Sequence, residues 1–218
     1  MKAGIRLASV LLAALLVCAL PQPILAEEIN YTAAAGSAAE WLKENVPAPD
    51  VGDEMVVLAL LRGVYMTGRQ EYVQSYLQKL TAHLGGDGLN TQLLADTALQ
   101  ALVLAAAGVN IQDTLPQLLP ALCDNTKLTA EGPNAERLVL LLFAAAGENV
   151  AAPSGFDVAA LASAYAGRQN TDGGFGEGGA SNPLDTARAV QALAAYFDAP
   201  GVRDAALVAR AWLQLRTN

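Results

Sequence analysis

The chain has 218 residues, is 53% hydrophobic, and carries 13 basic against 21 acidic side chains, a formal charge of −8. That length suits one domain with a substantial core. The acidic balance argues against nucleic acid and anionic membrane surfaces as partners, since both repel it.

Residues 1–26 read as a signal peptide. Lys2 and Arg6 give a positive start, Leu7 to Leu20 an apolar core, Pro21 and Pro23 break it, and Ala26 precedes the acidic pair Glu27-Glu28. This pattern places cleavage after Ala26. The apolar run is short for a membrane span of about 20 residues, so no stable membrane insertion is expected after cleavage. The expected mature domain is 27–218, secreted or extracytoplasmic. It has 11 basic against 21 acidic residues, a formal charge of −10, and a single cysteine, Cys123. No intramolecular disulfide is then possible, and packing alone holds the fold.

Along the mature chain the apolar spacing is helical throughout. Tyr31 to Asn45 is the first helix, ended by Pro47 and Pro49. A second runs through Met55 to Leu61 toward Tyr65 and is closed by Gly68, and a third covers Gln70 to Leu84. Gly85-Gly-Asp-Gly88 has loop composition. Thr91 to Ala107 is apolar on every side, which predicts burial on every side, and Gly108 ends it. Ile111 to Cys123 is helical but interrupted by Pro116 and Pro120, and Asp124 to Gly132 reads as a loop. Pro133 suits the first turn of a helix that continues to Ala146. Helices over 156–167, 183–197 and 202–215 complete a count of about nine, with no strands.

A repeat of about 40 residues is visible. Leu104-Ala-Ala-Ala-Gly108 recurs as Phe143-Ala-Ala-Ala-Gly147, Thr67-Gly68 stands 40 positions before Ala107-Gly108, and Asp96-Thr-Ala-Leu-Gln-Ala matches Asp185-Thr-Ala-Arg-Ala-Val. Wholly apolar helices alternate with amphipathic ones, as in a two-layer array of helical hairpins.

The stretch Gln169-x-x-Asp-Gly-Gly-Phe175, followed by Asp185-Thr-Ala and Gln-Ala-Leu193, resembles the prenyltransferase and squalene oxidase repeat, in the form found in squalene–hopene cyclases. The resemblance is clearest over 160–196 and implies an all-α, α/α-toroid-like array. Nine helices fall short of the usual six hairpins, so an incomplete or open ring is expected. In such a turn Gly173, Gly174 and Gly176 supply backbone conformations barred to other residues. The Gln169 amide bonds backbone at neighbouring helix ends, and Phe175 plugs the seam between hairpins.

The chemistry that the family would imply lacks its residues. There is no Asp-x-Asp-Asp acid motif, and Asp53-Glu54 reads as a helix-start dipole partner. Catalytic zinc needs three protein ligands, and His83 and Cys123 are the only mature His and Cys. No thioester motif, phosphate loop or catalytic triad can be assembled. Asp172 to Glu177 lacks the alternating oxygen ligands of a calcium loop. No metal and no cofactor is expected. An open arc also lacks the sealed cavity that cyclisation needs. The expectation is therefore a secreted, non-enzymatic binding domain with an unidentified ligand or protein partner on its concave face. That face would carry Asp96, Asn134, Glu136, Asp172, Phe175, Glu177 and Asp185. The alternative is a terpene cyclase or mutase-like enzyme acting on an isoprenoid with an atypical acid.

Overall fold

The computed structural model describes residues 31–62 and 69–216; the segment expected to be a signal peptide and the Thr67-Gly68 element lie outside them. The described residues form twelve α-helices and no strand. They are α1 (Tyr31–Asn45), α2 (Glu54–Arg62), α3 (Arg69–Gly85), α4 (Gly88–Thr91), α5 (Leu94–Ala106) and α6 (Ile111–Thr114). After these come α7 (Leu118–Leu122), α8 (Asn125–Glu131), α9 (Pro133–Ala146), α10 (Val158–Ala166), α11 (Pro183–Leu193) and α12 (Val202–Gln214).

The expected count of nine is corrected by short helices. The 111–123 segment divides in two because Leu115, which precedes Pro116, leaves the helical region with φ −139° and ψ 67°. Pro120 breaks nothing, for it stands in the first turn of α7, where its missing N–H has no partner to lose. The loop expected over 124–132 is helix α8. The Asp124 side chain accepts from the N–H groups of Thr126 at 2.9 Å and Lys127 at 3.2 Å, an N-cap. Leu128, 1% exposed, then anchors it to the core.

The four apolar helices α2, α5, α9 and α11 pack side by side in chain order, with α5 against α9 the most extensive contact. Fully buried Ala98, Ala101 and Ala135 sit in the row, together with Val103, Leu104, Val139 and Leu142. Small side chains bring helix axes close, and each buried leucine contributes roughly 1.5–3 kcal/mol. Helices α3, α10 and α12 pack against this row, α3 on α2, α10 on α9, and α12 on both α10 and α11.

Buried polar groups in the first half are paired with each other. The Glu54 carboxylate accepts from Tyr76 Oη at 3.0 Å, Gln100 Nε2 at 3.2 Å and Gly52 N at 2.9 Å. Gln92 bridges Gln100, Thr97 and the His83 ring. His83 and Glu54 are thereby structural. The Cys123 thiol is half-buried, and burial pushes its pKa up to about 12, so the reactive thiolate is suppressed.

Candidate functional site

The loop between α10 and α11 is built from its own side chains. Gln169 Nε2 donates to Gly173 O at 2.9 Å and to Ala205 O in α12 at 2.8 Å. The Asp172 carboxylate accepts from Gly174 N at 3.1 Å, Ser181 Oγ at 2.5 Å and Trp212 Nε1 at 2.9 Å. These donors hold the Asp172 pKa below its ordinary value, with the Ser181 bond the largest cause. Arg216 lies 3.6 Å over the Trp212 ring. Phe175 N donates to Thr186 Oγ1 at 2.9 Å, and Thr186 in turn donates to Asn182 O at 2.7 Å. The Phe175 ring is 4% exposed and stacks on Tyr165, with centroids 5.9 Å apart.

The glycines divide by cause. Gly173 has φ +90°, a left-handed conformation. Gly174 does not; a Cβ there would lie 2.5 Å from Ser181 Cβ and 2.8 Å from Trp212 Cε2. At Gly176 the backbone is extended, and a Cβ would meet the Ala180 carbonyl. The expectation of a special backbone conformation therefore applies to Gly173, and close approach accounts for the other two.

The row of four helices turns one stripe of each member toward a shared groove. A cavity of about 1030 Å³ is lined by Met55 and Leu58 of α2 and by Asp96, Leu99 and Leu102 of α5. Helix α9 adds Asn134, Arg137, Leu138, Leu141, Ala144 and Ala145, and α11 adds Asp185, Arg188 and Gln191. Spacings of three and four are what one face of a helix presents. A second cavity of about 510 Å³ adjoins it and is walled by Tyr165, Arg168, Phe175, Glu131 and Pro133. Asn134, Arg137, Glu177, Asp185 and Arg188 line both. Burial on every side, expected for α5, is thus corrected: one stripe of it faces the groove, as does one stripe of α9, and Leu93 just before α5 is 62% exposed.

Five of the seven anticipated residues come together here: Asp96, Asn134, Phe175, Glu177 and Asp185. Two do not. Asp172 is absorbed by Ser181, Gly174 and Trp212, and it lines neither cavity. Glu136 is 4% exposed and is held by Arg168 in a bidentate pair. Both carboxylates are committed to donors within the fold and neither lines a cavity, so the structure places both in internal contacts.

The residues missing from the sequence-based set are Arg137, Arg188, Tyr165 and Arg168. A signal for the first and second existed: Asn134-x-x-Arg137 and Asp185-x-x-Arg188 place a polar residue and an arginine one turn apart near the starts of two helices. Arg137 Nη2 donates to Asn134 Oδ1 at 2.8 Å, and Arg188 Nη1 is 3.7 Å from Asp185 Oδ1. The Arg137 pKa is lowered, chiefly by burial; Tyr165 and Asp185 oppose this and the like charge of Arg188 adds to it. Burial also pushes the Tyr165 phenol up to about 12, which keeps it neutral. Among the described residues no three His, Cys, Asp or Glu side chains converge as metal ligands.

No family model, curated protein or solved structure matches the chain. The groove must therefore be read from its own geometry and chemistry. Its floor is leucine and alanine, Tyr165 and Phe175 stack along one wall, and many of its polar and charged groups gather where the two cavities meet. Small-molecule sites combine an apolar concavity with polar groups that set orientation, and this groove carries both.

Proposed function

We propose that the protein is a non-enzymatic binding domain that receives its ligand in the groove along α2, α5, α9 and α11. The observation that carries this is the convergence of four neighbouring helices on one open cavity of about 1030 Å³, with apolar side chains from α2, α5 and α9 and polar ones from α11. Leu58, Leu99, Leu102, Leu138 and Leu141 line that space. Apolar surface kept in water costs free energy in proportion to its area, so a ligand that covers it binds favourably. The ordered row of inner helices and the motif at Gln169 to Phe175 support an α/α-toroid-like array, in which the groove is the concave side. The leader sequence over 1–26 supports an extracytoplasmic location, and N-terminal sequencing of exported protein should begin at Glu27.

The groove is tested with N-phenyl-1-naphthylamine, a neutral probe that brightens in apolar surroundings. The parent protein should enhance its emission. Ala145, exposed on the groove side of α9, should block it when changed to Trp. Asp172→Asn, outside the groove, should leave it intact. Equal enhancement by the parent and Ala145→Trp would sink the proposal.

A further inference from the structure

We infer that the junction of the two cavities, at Arg137 of α9, is a head-group site for a singly charged anion, and that the groove takes an amphiphile whose carboxylate pairs with Arg137 and whose apolar body lies over the leucine stripe. This rests on the groove proposed above and adds its ligand class.

The distribution of partners around Arg137 supports the assignment. Arg168 is satisfied by Glu136. Arg188 has Asp185 one turn before it, at 3.7 Å. The Glu131 carboxylate, facing the same space, accepts from the N–H groups of Leu94 and Ala95. Arg137 alone among the three arginines has a neutral partner, the Asn134 amide, at the position where α11 has Asp185. It is half-buried, and the charges of Arg188 and Asp185 reach it in opposite senses, with burial the dominant influence. A half-buried guanidinium beside another cation and without a carboxylate of its own has a standing electrostatic deficit. An incoming carboxylate supplies two acceptors in the plane of that fork.

The surrounding acids set the charge. Glu177 and Asp185 line the junction, and Asp96 stands farther along the groove. They tolerate one negative charge on Arg137 and repel a second. The leucines farther along, Leu99, Leu102 and Leu141, are continuous with the junction through Asn134 and Arg137, so a chain attached to the head group runs directly onto them.

The experiment is displacement of N-phenyl-1-naphthylamine by decanoate, decanol, decyl phosphate and decyltrimethylammonium, each below its micelle concentration. Decanoate should displace at about tenfold lower concentration than decanol, decyl phosphate should displace less well than decanoate, and the cation should be poorest. Arg137→Gln, measured against its own probe affinity, should be displaced equally by decanoate and decanol. Asn134→Asp, at an exposed position, keeps the arginine but gives it a carboxylate partner, and it should also erase the preference. If decanoate and decanol displace equally from the parent, the head-group site is wrong while the groove stands. If decyl phosphate wins, the single-charge limit is wrong. If the probe does not bind, the groove and the head-group site fall together. If Asn134→Asp and Arg137→Gln both retain the preference, another group holds the anion and the assignment to Arg137 is overturned.

Discussion

The guanidinium of Arg168 grips the carboxylate of Glu136 by two bonds, Nε to Oε2 at 2.7 Å and Nη2 to Oε1 at 2.6 Å. Glu136 belongs to the first turn of α9 and Arg168 follows the last turn of α10, so the pair ties the start of an inner helix to the end of the helix packed on it. The bond to Glu136 is the main reason the Arg168 pKa is raised. Arg168→Met would strand a carboxylate that is 5% exposed, at an expected cost of about 1–3 kcal/mol. The arginine side chain is 39% exposed, and water there keeps the cost below that of a fully buried pair. The double variant Arg168→Met with Glu136→Met should recover most of the loss, because both partners are then apolar. Urea melts of both variants check this, and a double variant weaker than the single would contradict it.

Helix α5 is capped from outside. Leu93 at its N-cap has no side-chain acceptor, and Glu131 of α8 accepts from Leu94 N at 2.6 Å and Ala95 N at 3.1 Å. A carboxylate there also meets the positive end of the helix dipole. Glu131→Ala should destabilise the protein by about 0.5–2 kcal/mol, as loss of an N-cap does. Leu93→Asp in that background restores a local cap and should recover part of the loss. Thermal melts that show no change for Glu131→Ala would mean that water replaces the cap.

The glycine pair in the 167–182 loop should respond differently to the same methyl group. At Gly173 an alanine must adopt φ near +90°, a strain of about 1–3 kcal/mol, while its nearest neighbour, Val208 Cγ1, can rotate. At Gly174 the obstacles are Ser181 and the Trp212 ring, so an alanine there displaces the indole that bonds Asp172. Both variants should melt earlier. Only Gly174→Ala should shift the emission of Trp212, which is 5% exposed; Trp41, at 60% exposed, supplies a constant background. An identical spectrum for the two variants would contradict the division.

The helical class and most helix boundaries were legible because the apolar spacing is strong. Tyr31–Asn45 and the starts at Pro133, Pro183 and Val202 agree with the structure. Periodicity failed where few residues carry it: α8 rests on one buried leucine and the Asp124 cap. It also failed on burial. An apolar stripe that meets another helix and one that lines an open groove have the same sequence, so Leu99 reads as interior although it lines the groove. The site was half legible for the opposite reason. Carboxylates in the loop and at helix starts look alike in the sequence, yet Asp185 lines the groove while Asp172 and Glu136 close internal contacts. Arg137 stands next to Glu136 in the sequence as an apparent charge pair, and only the fold shows that Glu136 bonds Arg168 instead while Arg137 bonds Asn134.

Asp172 makes stability depend on pH. Its native carboxylate accepts from Ser181, Gly174 and Trp212, and Arg216 Nη2 stands 3.9 Å away. These contacts hold its pKa below the ordinary value, with the Ser181 bond first. The unfolded chain binds that proton at about pH 3.9. The contribution is therefore fully present above that value and is lost as pH falls through the lower native pKa. Asp172→Asn removes the charge at every pH, and the amide has one acceptor oxygen for three donors. The variant should be weaker than the parent at neutral pH, and the gap between their urea midpoints should narrow on acidification from about pH 5 to about pH 3. The Asp185→Asn variant is the control: its carboxylate is bonded to Asn182 rather than to the α12 indole, so it should not reproduce the Trp212 emission change that accompanies loss of the Asp172 bond. A gap between parent and Asp172→Asn that stays constant across this range would show that the ionised form of Asp172 is not what holds the loop to α12.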